Sequence, residues 1–240
     1  MAFANMRELP LRKIGLIGGM SWISTRTYYD HINRLVQAKM PAPTSAPLLI
    51  ESLDFSLLYR VQDDSGWQEA SQILCDSARR LADAGATAIV IGANSMHKVY
   101  DDVAAAVDVP ILHIAECVGE RMQQDRVSTA ALFGTRNVMT ESFYRKRLVA
   151  HGVDLLPPDM DNVEQLDRII YGELMQGKVT RNAQRTLKTM IAVKEKSGAK
   201  AIVLACTELD LLVDVDANVL PIYDCTRIHA KKAAEWILSG

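Results

Sequence analysis

The sequence predicts an α/β protein with two pseudo-symmetric, doubly wound lobes, mainly parallel sheets, and a cleft between them. Three observations predict it. Continuous apolar runs such as Ala86-Thr-Ala-Ile-Val-Ile-Gly92 read as parallel strands covered on both faces. Helix and strand signals alternate along the whole chain. One half of the chain also repeats in the other.

Lys13-Ile-Gly-Leu-Ile-Gly-Gly19 reads as a buried strand ending in a glycine turn. Residues 24–40 carry helical spacing through Tyr28, Ile32 and Leu35. Residues 48–53 form a second strand, and 66–84 a long helix stopped by Gly85. Pro41-Ala-Pro43 and Pro157-Pro158 are loops.

The repeat lays Gly85-Ala-Thr-Ala-Ile-Val-Ile-Gly-Ala-Asn-Ser-Met96 over Gly198-Ala-Lys-Ala-Ile-Val-Leu-Ala-Cys-Thr-Glu-Leu209. Val109-Pro-Ile-Leu112 matches Leu220-Pro-Ile-Tyr223 at nearly the same offset. Upstream, the Gly18 turn and Tyr28-Tyr29 correspond to the Gly134 turn and Phe143-Tyr144. The expected division is residues 1–115 in the first lobe, joined by a C-terminal helix at 225–240, and 116–224 in the second.

Charge excludes several functions. With 27 Lys+Arg against 29 Asp+Glu, the net charge is −2, so nothing calls for nucleic acid or an anionic membrane. No apolar run approaches the roughly 20 residues of a membrane span, and residues 1–12 lack a signal-peptide apolar block. Cys75, Cys117, Cys206 and Cys225 form no CxxC pair, which reads as reduced thiols and no metal site. A cytoplasmic protein is expected. No Gly-x-Gly-x-x-Gly fingerprint argues for a dinucleotide.

In parallel sheets, ligands sit beyond the carboxyl ends of the strands. The turns Gly18-Gly19-Met20-Ser21, Ala93-Asn94-Ser95, Gly134-Thr135 and Cys206-Thr207-Glu208 should therefore share one pocket. Backbone N–H groups there, with Asn94, Ser95 and Thr207, suit a carboxylate. The repeat sets Ala93 opposite Cys206.

At these residues the chain resembles the aspartate/glutamate racemase family of cofactor-independent amino-acid racemases. The resemblance rests on Gly15-Leu-Ile-Gly-Gly-Met-Ser-Trp22, Ala93-Asn-Ser-Met-His97 and Ala205-Cys-Thr-Glu208, and extends to Leu112-His-Ile114 and Leu132-Phe-Gly-Thr135. The opening motif looks like the broad-specificity amino-acid racemase branch. The resemblance implies a small amino-acid substrate, no cofactor, a homodimer, and two thiols working on opposite faces of the α-carbon. Cys206 matches the second thiol and is implied as catalytic acid/base, its pKa lowered near a helix N-terminus. Met20, Gln62, Asn94, Ser95 and Thr207 are implied to bind substrate, with His97 and Glu208 in support.

Two positions depart from the family pattern. Ala93 stands where the first thiol belongs and carries no proton. Ser95, Cys117, Cys225 or a water can substitute, exchange can be confined to one face, or the chain can run a one-thiol reaction like the arylmalonate decarboxylases. The alternatives are thus a decarboxylase or isomerase of a small dicarboxylic acid, or a non-catalytic amino-acid binder. Met175 stands near a lysine of aspartate-specific relatives, leaving Arg60, Gln62 or Lys178 to meet a side-chain carboxylate.

Each residue also has a plainer role. Glycines 18 and 19 can simply make a tight turn. His97 can cap its helix, and Glu208 can favour the positive start of its own. Cys75 reads as core, packing is the simpler role for Cys117 and Cys225, and Trp22, Trp67 and Trp236 fill apolar contacts.

Overall fold

The computed structural model describes residues 11–59, 61, 63–214 and 218–240. The first half runs β1 (Ile14–Gly18), α1 (Trp22–Gln37), β2 (Leu48–Ser52), α2 (Asp64–Asp83), β3 (Ala88–Ile91), α3 (Tyr100–Ala105), β4 (Ile111–Leu112) and α4 (Ile114–Gln124). The second runs β5 (Thr129–Gly134), α5 (Arg136–Thr140), α6 (Ser142–Ala150), β6 (Asp154–Leu155), α7 (Met160–Gly172), α8 (Arg181–Lys196), β7 (Ala201–Ala205), β8 (Ile222–Asp224) and α9 (Cys225–Leu238). The first sheet has the order β2-β1-β3-β4 and the second β6-β5-β7-β8, with every pairing parallel. The repeat is thus a repeat of sheet topology.

Central strands β1, β3, β5 and β7 are almost wholly buried, which explains their unbroken apolar runs. Edge strand β2 is only half-covered. The equivalent helices α2 and α8 end alike. Gly85 and Gly198 take φ of +91° and +97°, and the next residues' N–H groups return to Leu81 O and Lys194 O at 3.0 Å. Only a glycine adopts that left-handed closure without strain.

The last helices cross over. α9 follows the second sheet but packs Ala230, Ala233 and Ile237 on Ile14 and Leu16 of the first. α4 follows the first sheet but packs Ile114, Val118 and Met122 on Ala130 and Leu132 of the second. Each sheet thus borrows a helix from beyond the other, which ties the halves together and holds their strand ends facing one cleft.

The helices start and stop within two or three residues of the predicted boundaries. Trp22 departs further: it is 61% exposed, not packed in a core, and Arg26 lies over its ring. Among the described residues, no helix is long and apolar enough to cross a membrane.

Candidate active site

Met20, Ala93, Asn94, Ser95, Cys206, Thr207 and Glu208 line one cavity, together with Thr135, Met175 and Ala205. Two of the lining segments follow β3 and β7, the central strands related by the repeat. Ala93 and Cys206, each 6% exposed, follow these two strands of different sheets and line the same cavity. The cavity measures about 20 Å³, room for about one water and too little for an amino acid. Gln62 and Arg60 lie outside the described residues.

Glu208 organises the thiol wall. Its carboxylate is 1% exposed and accepts three side-chain hydrogen bonds. Cys206 Sγ donates to Oε2 at 3.2 Å, Thr207 Oγ1 donates to the same oxygen at 2.7 Å, and Ser21 Oγ donates to Oε1 at 2.6 Å. The first two partners are chain neighbours, whereas Ser21 comes from the other lobe.

The thiol differs from expectation. Burial, then the charge of Glu208, pushes the Cys206 pKa well above the usual thiol value. Lowering by a helix N-terminus is overturned, because burial, and after it the carboxylate two residues away, outweighs it. Farther along the same turn, burial and the neighbouring charges of Asp224 and Glu208 raise Asp210 to about 6.

The cavity also offers unpaired polar atoms, Asn94 after β3 and Thr135 after β5 beside the Cys206 strand. Asn94 is 4% exposed, and neither its Oδ1 nor its Nδ2 has a hydrogen-bond partner. The buried Thr135 Oγ1 is likewise unpaired. Such atoms cost about 1–3 kcal/mol each when unmatched, so their clustering on one cleft marks a surface shaped for a polar ligand. Among the lining residues, Glu208 is the only carboxylate and no Lys, Arg or His is present.

Behind Ala93 lies a layer of histidines. His97 Nδ1 donates to Ala93 O at 2.9 Å, and its Nε2 accepts the Ile114 N–H at 3.2 Å. His97 does not line the cavity; it holds the backbone that does. His113 packs on it at 4.5 Å between ring centres, and His229 at 6.1 Å. His229 is fixed between Tyr28 OH and Leu112 O, each at 2.8 Å.

Other expectations need correction. The turn glycines do not line the cavity; a Cβ on Gly19 would collide with the Leu53 backbone, and its N–H is taken by Thr25 Oγ1 at 2.7 Å. They make the tight turn and offer a ligand no free amide at Gly19. Cys117 and Cys225 lie off the cleft; Cys225 is fully buried, 3.0 Å from Tyr144 OH, so neither replaces a missing thiol. Lys178 is absent from the cavity wall and bonds Gln176 Oε1 instead. Ser21 was expected only as part of a turn, and its role across the cleft has no local sequence signal. Among the described residues, no group of three His, Cys, Asp or Glu side chains is arranged to hold a metal ion.

The two parallel α/β halves thus bring a buried thiol and a carboxylate to one small cavity. The sequence profile of the Asp/Glu/hydantoin racemases matches residues 17–233, and the chain belongs to that family. It is 24% identical over 171 residues to the broad specificity amino-acid racemase RacX of Bacillus subtilis, covering 71% of this chain and 74% of that one. A Yersinia pestis structure assigned to the Asp/Glu racemases superposes with a TM-score of 0.87 at 39% identity, covering 95% of this chain and all of the other. A Pyrococcus horikoshii aspartate racemase homologue gives 0.82 at 32% identity, with the same coverage.

Proposed function

We propose that this enzyme exchanges the α-proton of an amino acid through Cys206, on one face more readily than on the other. The observation that carries the proposal is the Cys206 thiol lining the same cavity as the unpaired amide of Asn94. The amino acid's carboxylate is read as meeting Asn94, Thr135, Ser95 and Thr207, and its ammonium as facing Glu208. Met20 and Met175 bound the side chain.

Charge supports that orientation. The one lining carboxylate is Glu208, so the ammonium is drawn to it and the substrate's carboxylate to the uncharged donors. A substrate ammonium beside the thiol also counters the burial and the Glu208 charge that hold it protonated, favouring thiolate. Donors at the carboxylate stabilise the carbanion developing at the α-carbon. The opposite wall offers the methyl of Ala93, so return of a proton to the other face is slow.

The same reading takes residues 11–115 with 225–240 as one lobe and 116–224 as the other, opening to admit substrate. It also takes the working form as a cytoplasmic homodimer, a closed two-fold pair being the commonest soluble oligomer. Incubating candidate amino acids in D₂O, with α-deuterium measured by mass spectrometry and configuration by chiral chromatography, tests the function. Exchange faster than inversion is expected. No exchange by any amino acid defeats the proposal, and carbon dioxide release from malonate-type acids would favour the one-thiol decarboxylase suggested by Ala93.

A further inference from the structure

Ser21 occupies the N-cap of α1, the position where a serine side chain normally accepts an N–H from the first turn of its own helix. Here it makes no such bond. Its hydroxyl is turned away and donates to Glu208 Oε1 at 2.6 Å, 187 positions along the chain, with both side chains almost fully buried. An N-cap bond is worth about 1 kcal/mol, so forgoing it for a distant carboxylate needs a reason outside the helix. Glu208 is the group that accepts the Cys206 thiol hydrogen bond on its other oxygen.

We propose that Ser21 is a positioning residue which couples closure of the lobes to activation of Cys206, by holding Glu208 Oε2 against the thiol only when the cleft is shut. The proposal rests on the proton-exchange reading of Cys206 above. The cavity holds about 20 Å³, so an amino acid fits only once the lining moves apart. Ser21, next to the lining Met20, comes from the first half of the chain and Glu208 from the second, so separation of the halves breaks their bond. The open site then leaves Glu208 with Thr207 and Cys206 alone, free to turn towards incoming solvent. Closure over the substrate restores the Ser21 bond and fixes Oε2 beside Sγ.

The proton steps balance. The Cys206 S–H bond breaks as a proton passes to Glu208 Oε2, leaving a thiolate and a neutral carboxylic acid. The thiolate then takes the proton from the substrate's α-carbon, re-forming S–H and leaving the electron pair on the carbanion. Reversal of the two steps returns hydrogen to the carbon and the proton from Glu208 to sulfur. Asp210, which also acts on the Cys206 thiol through its charge, is the other acidic group near this wall.

The experiment compares wild type with Ser21→Ala and Ser21→Thr for α-hydrogen exchange in D₂O across pH, with thermal melting as the check on folding. Ser21 does not cap α1, so the helix itself is not weakened, but Ser21→Ala leaves the buried Glu208 Oε1 without its partner and should lower Tm by about 2–10 °C while the protein still folds; Ser21→Thr should melt nearer wild type. Ser21→Ala should lower kcat about 10-fold with KM changed less than about 2-fold, a loss typical of mispositioned groups, and should displace the pH profile. Ser21→Thr, which keeps the hydroxyl, should recover most of kcat. An exchanging wild type matched by Ser21→Ala in kcat and pH profile overturns the Ser21 role and leaves the racemase reading intact. A wild type that exchanges no amino acid overturns the racemase reading instead. The Ser21 role is then decided by the pH profile of Cys206 alkylation with iodoacetamide, followed by peptide mass mapping: a displaced profile in Ser21→Ala supports it, and an unchanged one overturns it.

Discussion

The Cys206 thiol and the Glu208 carboxylate form a buried pair, Sγ to Oε2 at 3.2 Å, in which the sulfur is the donor. Burial and that adjacent charge keep the resting thiol protonated. The group raised in pKa loses its proton only as pH climbs, so exchange should still be rising with pH beyond about 8.5, where a free thiol would level off. Cys206→Ser should lower exchange by about 10²–10⁴-fold, the usual range for loss of a general acid/base. A plateau below pH 8, or a serine variant as fast as wild type, would count against the pair.

Ala93 is the repeat counterpart of Cys206 and lines the same cavity after a strand of the other sheet. Ala93→Cys adds one heavy atom where the facing thiol is missing. Inversion should rise relative to exchange, brought towards parity by a proton donor on each face. The gain should stay modest, because Ser95 stands where the repeat would need a second Glu208 and carries no carboxylate to take the proton. Chiral analysis alongside deuterium uptake measures the ratio; a ratio unchanged from wild type contradicts the assignment of the two walls.

Asn94 illustrates a conflict between stability and binding. Its buried amide has no partner on either polar atom, so Asn94→Ala removes two unmatched groups and leaves none behind. Relief of about 1 kcal/mol would raise Tm by about 2–4 °C in a chain of this size. The same change should raise KM, since the carboxylate of the substrate loses its amide. A variant that melts lower and binds as before would show that Asn94 is a packing residue.

The halves were readable because their central strands are buried on both sides and must be apolar, and because Gly85 and Gly198 perform the same helix closure. The turns that meet at the cleft followed from that symmetry. Ser21 did not, since an N-cap serine carries a sufficient local explanation and only the tertiary structure turns its hydroxyl towards Glu208. The direction of the Cys206 shift escaped for a similar reason: a helix N-terminus is visible in sequence, while the dryness that magnifies the Glu208 charge is not. Packing, the simpler role for Cys117 and Cys225, is where the structure places them: both are buried and neither lines the cavity.

Met175 borders the cavity with a flexible, uncharged thioether. Met175→Lys would set an ammonium beside the substrate's side chain. A charge-assisted hydrogen bond is worth about 1.5–3 kcal/mol, so kcat/KM for aspartate or glutamate should rise about 10–100-fold relative to alanine. Exchange assays with the three amino acids read this directly. Equal effects on all three would mean that Met175 lies off the side-chain path.

Stability should fall on both sides of neutrality. Burial, followed by the nearby His229, lowers His97 to about 3, and burial lowers His229 to about 4. The unfolded chain binds these protons near pH 6.5, so the stabilising contribution is whole above that value and drains away as pH falls towards 4. Each histidine then costs about 1.4 kcal/mol per pH unit. On the alkaline side, burial raises Cys117 to about 12 and holds Cys206 and Cys225 up as well. Unfolded thiols ionise near 8.5, so their contribution is complete below that pH and is lost above it. Urea melts from pH 4 to 10 should therefore peak between about 6.5 and 8.5. His229→Gln should flatten only the acid limb, because one of the groups that must charge on unfolding is gone; an acid limb as steep as wild type would separate the histidine layer from the acid sensitivity.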